Sequence, residues 1–200
     1  MMLPPKIAIA SGNKGKINEI NNLFRGLSIQ LLSQLDLDIS EAEEPHYTFM
    51  ENALSKARYV SKNSGLPALA DDSGICVYAL NGQPGVRSAR FAGNGATDTQ
   101  NSQHLVDLMR HQTDRRAYFY CVLILVRHHN DPAPLVTDGR WYGELLREFR
   151  GDEGFGYDPV FLDPKMQLTG SEMSTNQKNE LSHRGEAVRK MKRLLESGAF

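Results

Sequence analysis

Short continuous apolar runs alternate along this chain with stretches in which apolar residues recur every third or fourth position, the pattern of strands interleaved with amphipathic helices. "KIAIAS" (Lys6 to Ser11) reads as a first strand leading into "GNKGK", after which Ile17, Ile20, Phe24 and Leu27 mark one helical face. "SIQLLSQLDLDI" (28–39) predicts a second strand with an acidic continuation, closed by the polar loop "SEAEEPHY". Thr48 with Glu51 forms a capping box for a helix whose apolar face is Met50, Ala53, Leu54, Ala57 and Val60. "NSGLP" stops that helix, and "ALADDSGICVYAL" supplies a strand on either side of two aspartates.

The second half repeats the alternation. "NGQPGVRSARFAGNGA" (81–96) is glycine-rich and predicts a long exposed loop before a helix capped by Thr97 and carrying Leu105, Leu108 and Met109. "RAYFYCVLILVRHH" is the longest strand candidate, with "TDGRWYGELL" as its hairpin partner and an Asp-Gly turn nearby. A glycine-rich stretch, "EFRGDEGFGYDPVF", leads into another strand. Two helical pieces close the chain, around Asn176 to Glu180 and from Glu186 to Glu196, the latter packing Val188, Met191 and Leu195.

Two hundred residues suffice for one sizeable domain with an unaided core, and 40% hydrophobic with 24% charged residues is an ordinary globular balance. The longest apolar run, Tyr118 to Val126, is far too short to cross a bilayer. The opening "MMLPPKIAIASGNKGK" has prolines before its apolar run and no small-residue cleavage site after it, so a cytoplasmic protein is expected. Cys76 and Cys121 lie in apolar segments and form neither a disulfide framework nor a zinc pattern, which predicts buried thiols. A net charge of −1 offers no general attraction for nucleic acid, so a phosphate-bearing ligand must be held by local groups.

Five stretches carry candidate chemistry. In "SGNKGK" a strand ends in a glycine loop that opens a helix, which aims backbone N–H groups and the positive helix end at a phosphate, with Lys14 and Lys16 adding charge. Neither the Walker nor the three-glycine dinucleotide spacing is present. Glu41, Glu43 and Glu44, taken with Asp71 and Asp72, supply the hard oxygen ligands that magnesium combines with substrate phosphates. Because alternate strand residues face opposite sides, one aspartate of the pair can face a site while the other makes structural contacts. In "GFGYDP", Phe155 and Tyr157 offer aromatic faces to a flat ring, with backbone and Asp158 for its edge. Ser182 is a candidate cap for the last helix. That places His183 and Arg184 in its first turn, where cations are disfavoured unless an anion or polar ligand is near.

With these stretches in order, the chain closely resembles the inosine triphosphate pyrophosphatase family, which removes non-standard purine nucleotides. The match runs nearly end to end, through "SGNKGK", "EEPHYTFMENALSKA", "LADDSG", "PGVRSARFAG", "FGYDPVF", Lys178 and "SHRG". The family pattern usually has Thr where this chain has Ser11, and the hydroxyl is kept. The resemblance implies a magnesium-dependent hydrolase that cuts ITP, dITP or XTP between the α and β phosphorus atoms, releasing a monophosphate and pyrophosphate. Carried over by position, it makes Ser11, Gly12, Asn13, Lys14, Gly15 and Lys16 the triphosphate loop, Glu44 and Asp72 the metal ligands, and Asp72 also the proton acceptor. Ser73, Phe155, Gly156, Tyr157, Asp158, Lys178, His183 and Arg184 become the remaining nucleotide contacts. It further implies a single two-lobed α/β domain over residues 1–200 with a long central mixed sheet flanked by helices, the active site in a cleft between the lobes, and a homodimer. A keto oxygen at the purine six-position accepts hydrogen bonds, which suits donors such as His183 and Arg184. A pyrophosphatase for modified pyrimidine triphosphates, and a sensor that binds a triphosphate without cutting it, are the competing readings.

Overall fold

The computed structural model describes residues 4–200; Met1–Leu3, the start of the stretch read for a leader, lie outside the described residues. Seven strands form one mixed sheet: β1 (Lys6–Ala10), β2 (Gln30–Ser33), β3 (Ala68–Val77), β4 (Arg116–Val126), β5 (Leu135–Leu145), β6 (Phe161–Asp163) and β7 (Leu168–Thr169). Their order is β2-β1-β3-β4-β5-β6-β7. β1 runs parallel to both β2 and β3, whereas β6 is antiparallel to β5 and β7. Five helices accompany the sheet: α1 (Lys14–Leu23), α2 (Phe49–Ser64), α3 (Asp98–Leu108), α4 (Thr175–Leu181) and α5 (His183–Glu196). None of them is long and apolar enough to cross a membrane.

The chain divides into two compact units. The first comprises residues 1–72, 121–139 and 184–200, and the second residues 73–120 and 140–183. In the first, Ile7 and Ile9 of β1, Leu69 of β3, and Cys121, Leu123 and Leu125 of β4 pack with Ile20 of α1 and Val188, Met191 and Leu195 of α5. In the second, Ile75, Val77, Phe119, Trp141 and Phe161 pack with Leu105 of α3 and with Met109, which caps that helix. Each fully buried large apolar side chain contributes about 1.5–3 kcal/mol. Both cysteines are buried free thiols, as expected.

Local chemistry explains the element boundaries. Thr48 Oγ1 accepts from Glu51 N at 3.2 Å and starts α2, and Gly65, at φ +70°, ends it in the left-handed turn that favours glycine. The expected long second strand stops at Ser33, because Asp36 turns back on it: its Oδ2 accepts from the Ser33 hydroxyl at 2.7 Å and from Ser33 N at 3.1 Å. Such local bonds compete with a ladder. The Asp-Gly pair at 138–139 lies inside β5 rather than in a turn; the β4–β5 link is residues 127–134. Gly85–Arg90, expected as exposed loop, is a 3₁₀ helix whose Ser88 hydroxyl is buried, accepting from Ile75 N at 3.0 Å and donating to Gly85 O at 2.6 Å. β3 runs unbroken through both aspartates, so "DD" is strand rather than an interruption of one.

Candidate active site

The register of the parallel pair pins the first candidate stretch. Ala10 of β1 sits beside Ala70 of β3, so the loop that follows β1 emerges next to Asp71 at a carboxyl end, where α/β sheets place ligands. Asn13 caps α1: its Oδ1 accepts from Lys16 N at 3.0 Å, and its own N–H donates to Ser11 Oγ at 3.2 Å. The helix start and its positive end therefore lie in the loop, as the sequence predicts. Gly12 lies close under the acidic loop: a Cβ added there would fall 2.1 Å from Glu41 Oε1, so the glutamate side chain would have to swing away. The acidic loop thus lies directly against the loop that follows β1.

The two aspartates separate as strand alternation requires. Asp71, 1% exposed, meets Lys16 Nζ at 3.1 Å and Arg184 Nη2 at 3.4 Å through Oδ2. Burial by itself would raise the Asp71 carboxyl, but Lys16, Arg184 and Lys56 outweigh it and hold the group well below the ordinary carboxylate range. Arg184 also bonds Glu19 of α1, which ties α5 to the helix that follows the glycine loop. Asp72 instead receives Lys56 Nζ at 3.4 Å on Oδ1 and Asn52 Nδ2 at 3.3 Å on Oδ2. Burial pushes the Asp72 carboxyl up, Lys56 and Lys16 oppose that, and Glu44 and Asp71 reinforce it. Lys56 also meets Glu44 Oε1 at 2.6 Å. Burial would lower the Lys56 ammonium, yet the surrounding carboxylates leave it above its usual value.

Asn52, Lys56 and Glu19 join these contacts although no motif in the sequence marks them. A usable signal existed for the first two: they lie four residues apart on α2, hence on one helix face, and that face meets Asp72. Asn52, wholly buried, also accepts from His46 N at 3.0 Å and donates to His46 O at 3.3 Å, fixing the acidic loop two residues beyond Glu44.

Among the described residues no group of three acidic, histidine or cysteine side chains forms a metal cage. What the structure provides is a pair. Glu44 and Asp72 reach one shared ammonium at 2.6 and 3.4 Å, which brings both carboxylates within range of a single cation. That donor set suits magnesium, which takes one or two carboxylates and completes its shell with water and phosphate oxygens.

The second unit holds the other candidates. Asp158 organises the "GFGYDP" loop: its Oδ2 accepts from Phe155 N at 2.9 Å and from Lys178 Nζ at 2.6 Å. Gly154, at φ +82°, permits this, because a Cβ there would lie 2.4 Å from the same oxygen. Lys178 Nζ stands 4.5 Å from the Phe155 ring centroid, a cation–π contact on one face of a half-buried ring. Asp98 Oδ2 accepts from Gly156 N at 2.8 Å, and Ser102 donates to Gly156 O at 2.9 Å, so α3 braces the loop. Tyr157 is turned inward, 4% exposed, with its hydroxyl donating to Ser88 O at 2.8 Å. Of the two aromatics expected to offer a stacking face, Tyr157 is buried, whereas Phe155 is half-buried. Ser73 is half-buried on β3 beside Asp72, and Ser182 is the last residue of α4's cap, directly before His183 opens α5. His183 is buried against Phe119.

The chain as a whole has counterparts. The model of the Ham1 family matches residues 7–194. The chain belongs to the Ham1 family. A dITP/XTP pyrophosphatase of Nitrosomonas europaea is 51% identical over 190 residues, spanning 95% of this chain and 94% of that protein. A solved HAM1 protein of Coxiella burnetii superposes with a TM-score of 0.91 at 44% identity, over 97% of this chain and 100% of that one. The Ham1 protein of Staphylococcus aureus gives a TM-score of 0.86 at 37% identity, over 96% and 99% of the two chains. The mixed α/β fold expected from the sequence is the fold of these Ham1 structures.

Proposed function

We propose that this chain hydrolyses non-standard purine nucleoside triphosphates, ITP, dITP and XTP, to the monophosphate and pyrophosphate. Membership of the Ham1 family and the relatives named dITP/XTP pyrophosphatase support the activity. The observation that carries the residue assignment is the split of the aspartate pair. Asp71 is consumed by Lys16 and Arg184, whereas Asp72 converges with Glu44 on one cationic position.

In this reading the loop from Ser11 to Lys16 holds the triphosphate through N–H groups at the start of α1 and the charge of Lys14 and Lys16. Glu44 and Asp72 would hold magnesium, which when bound neutralises phosphate charge and polarises the bond to be cut. Asp72 accepts the proton of the attacking water. Burial raises the Asp72 carboxyl, and a cation bound beside it would favour the ionised form that accepts a proton. Water adds to the α phosphorus, the bond to the bridging oxygen breaks, and pyrophosphate leaves with the bonding electrons. Lys16 and the loop N–H groups stabilise the charge that develops. Asn52 and Lys56 each hold one oxygen of Asp72 and so set its direction.

The base is assigned to groups of the second unit. Phe155 stacks on the purine with the ring face opposite Lys178, the backbone of Gly156 and the Asp158–Lys178 pair shape the base edge, and His183 donates to the keto oxygen. Ser73 and Arg184 complete the contacts, Arg184 through the Asp71 cluster. Action as a homodimer, without nucleic acid, belongs to the same reading. The test is pyrophosphate release from ITP, dITP, XTP, ATP, GTP and dUTP with magnesium and with chelator. ITP, dITP and XTP should be cut at least ~10-fold more efficiently than ATP, and chelation should abolish turnover. A preference for dUTP would favour the pyrimidine reading, and tight ITP binding without turnover would favour a sensor.

A further inference from the structure

His183 opens α5, and its imidazole lies flat on the ring of Phe119, centroids 4.8 Å apart and planes 9° from parallel. Phe119 comes from β4 and is itself clamped. Phe161, wholly buried on β6, meets it at 4.7 Å and 57°, and Trp141 of β5 stacks on it at 6.0 Å and 24°. Trp141 and Phe161 meet in turn at 4.9 Å. The Trp141 indole N–H donates to Asp163 Oδ2 at 2.8 Å, and the other oxygen of Asp163 accepts from Lys165 N and Met166 N at 2.8 and 2.9 Å. The platform under His183 is therefore an aromatic cluster fixed at one end by a hydrogen-bonded carboxylate.

A flat stack restrains one degree of freedom in particular. An imidazole carries its hydrogen-bonding atoms in the ring plane, so the plane fixes the directions in which they can point. Turning the ring about its terminal torsion would set its edge on Phe119 and lose the parallel contact. That torsion is intrinsically broad, so the neighbour, not the side chain, decides the orientation.

Building on the assignment of His183 to the purine six-position, we propose that Phe119 is a positioning residue for base selection. Its ring holds the His183 imidazole in the plane from which it donates to a keto oxygen. Phe119 does not touch the nucleotide, and no metal or phosphate contact is involved. Loss of the platform should therefore erode the preference for ITP over ATP while leaving the phosphate chemistry in place.

The experiment compares kcat/KM for ITP and ATP in wild type, Phe119→Leu, His183→Ala and the double variant, with folding checked by thermal melt. Phe119→Leu should lower the ITP to ATP ratio by roughly 5- to 20-fold, mainly through KM for ITP, and should add no further change when His183 is already alanine. Phe119→Met, whose flexible side chain can fill the space left by the ring, serves if the leucine variant melts too early. A lowered ratio in His183→Ala with an unchanged ratio in both Phe119 variants would overturn the positioning role and leave the base assignment standing. An unchanged ratio in His183→Ala would remove both. Equal losses on ITP and ATP in the Phe119 variants would make the residue merely structural. NMR of the wild type adds a reading free of substitutions: the His183 ring protons should be shifted upfield by Phe119 and stay so when IMP is added. Loss of that shift on IMP binding would contradict the proposal.

Discussion

At the scale of single residues, the site depends on what each of two adjacent aspartates touches. Asp72→Asn keeps the shape of the side chain but cannot accept a proton, so turnover should fall by at least ~10²-fold with little change in melting temperature. Near-normal turnover would remove Asp72 from the chemistry. Lys56→Met deletes the ammonium shared by Glu44 and Asp72, and a fall in kcat of about 10- to 100-fold is expected, with a smaller change in KM. A variant altered only in KM would mean that Lys56 binds substrate rather than orienting the carboxylate. Much of this was legible in the sequence. The Asp-Asp pair announced itself by its oddity in a strand, and the glycine loop by its place before a helix. Asn52 and Lys56 were not legible, because on a capped amphipathic helix they read as solvated polar positions until the partner of that face is known. Tyr157 misled for the opposite reason: flanking glycines suggest access, but its hydroxyl finds a carbonyl partner inside.

At the scale of elements, the link from β4 to β5 makes a sharp stability prediction. Asp131 is wholly buried and accepts four bonds: from Arg127 N, Nε and Nη2 at 2.9, 2.9 and 2.8 Å, and from Ala133 N at 2.9 Å. The Arg127 side chain, aided by these N–H groups and against the cost of burial, holds the Asp131 carboxyl below the usual carboxylate range. A folded pKa below the unfolded value of about 3.9 contributes stability that is full above that value and is lost as pH falls through the folded one. Asp131→Asn should therefore lower the neutral melting temperature by about 4–10 °C. It should also flatten the drop in melting temperature that wild type undergoes below about pH 4. Parallel pH profiles would contradict the assignment. The same link shows why turn chemistry outran pattern reading. Asp-Gly at 138–139 carries a turn signal yet lies in β5, because the turn was already made by the carboxylate of Asp131 upstream. The short β2 tells the same story with Asp36, whose bonds to Ser33 end a strand that apolar pattern alone would extend.

At the scale of the whole molecule, two compact units each bring a distinct kind of chemistry. The first carries the glycine loop after β1, the carboxylate pair and their lysines. The second carries the Phe155 loop and the aromatic platform under His183. Apolar periodicity accounts for both cores, but it could not assign strands to units, because β3, β4 and β5 each contribute residues to both. Their long apolar runs carry no mark at the crossing points. Function was legible only from the combination of motifs, since each alone fits a surface turn, a helix start or a core aromatic equally well. The central claim concerns which bond is broken and in which nucleotide. The direct measurement is the product balance from ITP and from ATP, with magnesium, resolving monophosphate, diphosphate, pyrophosphate and orthophosphate. The account predicts IMP and pyrophosphate in equal amounts from ITP, no orthophosphate, and far slower cleavage of ATP. IDP with orthophosphate, or ATP cut as fast as ITP, would contradict it.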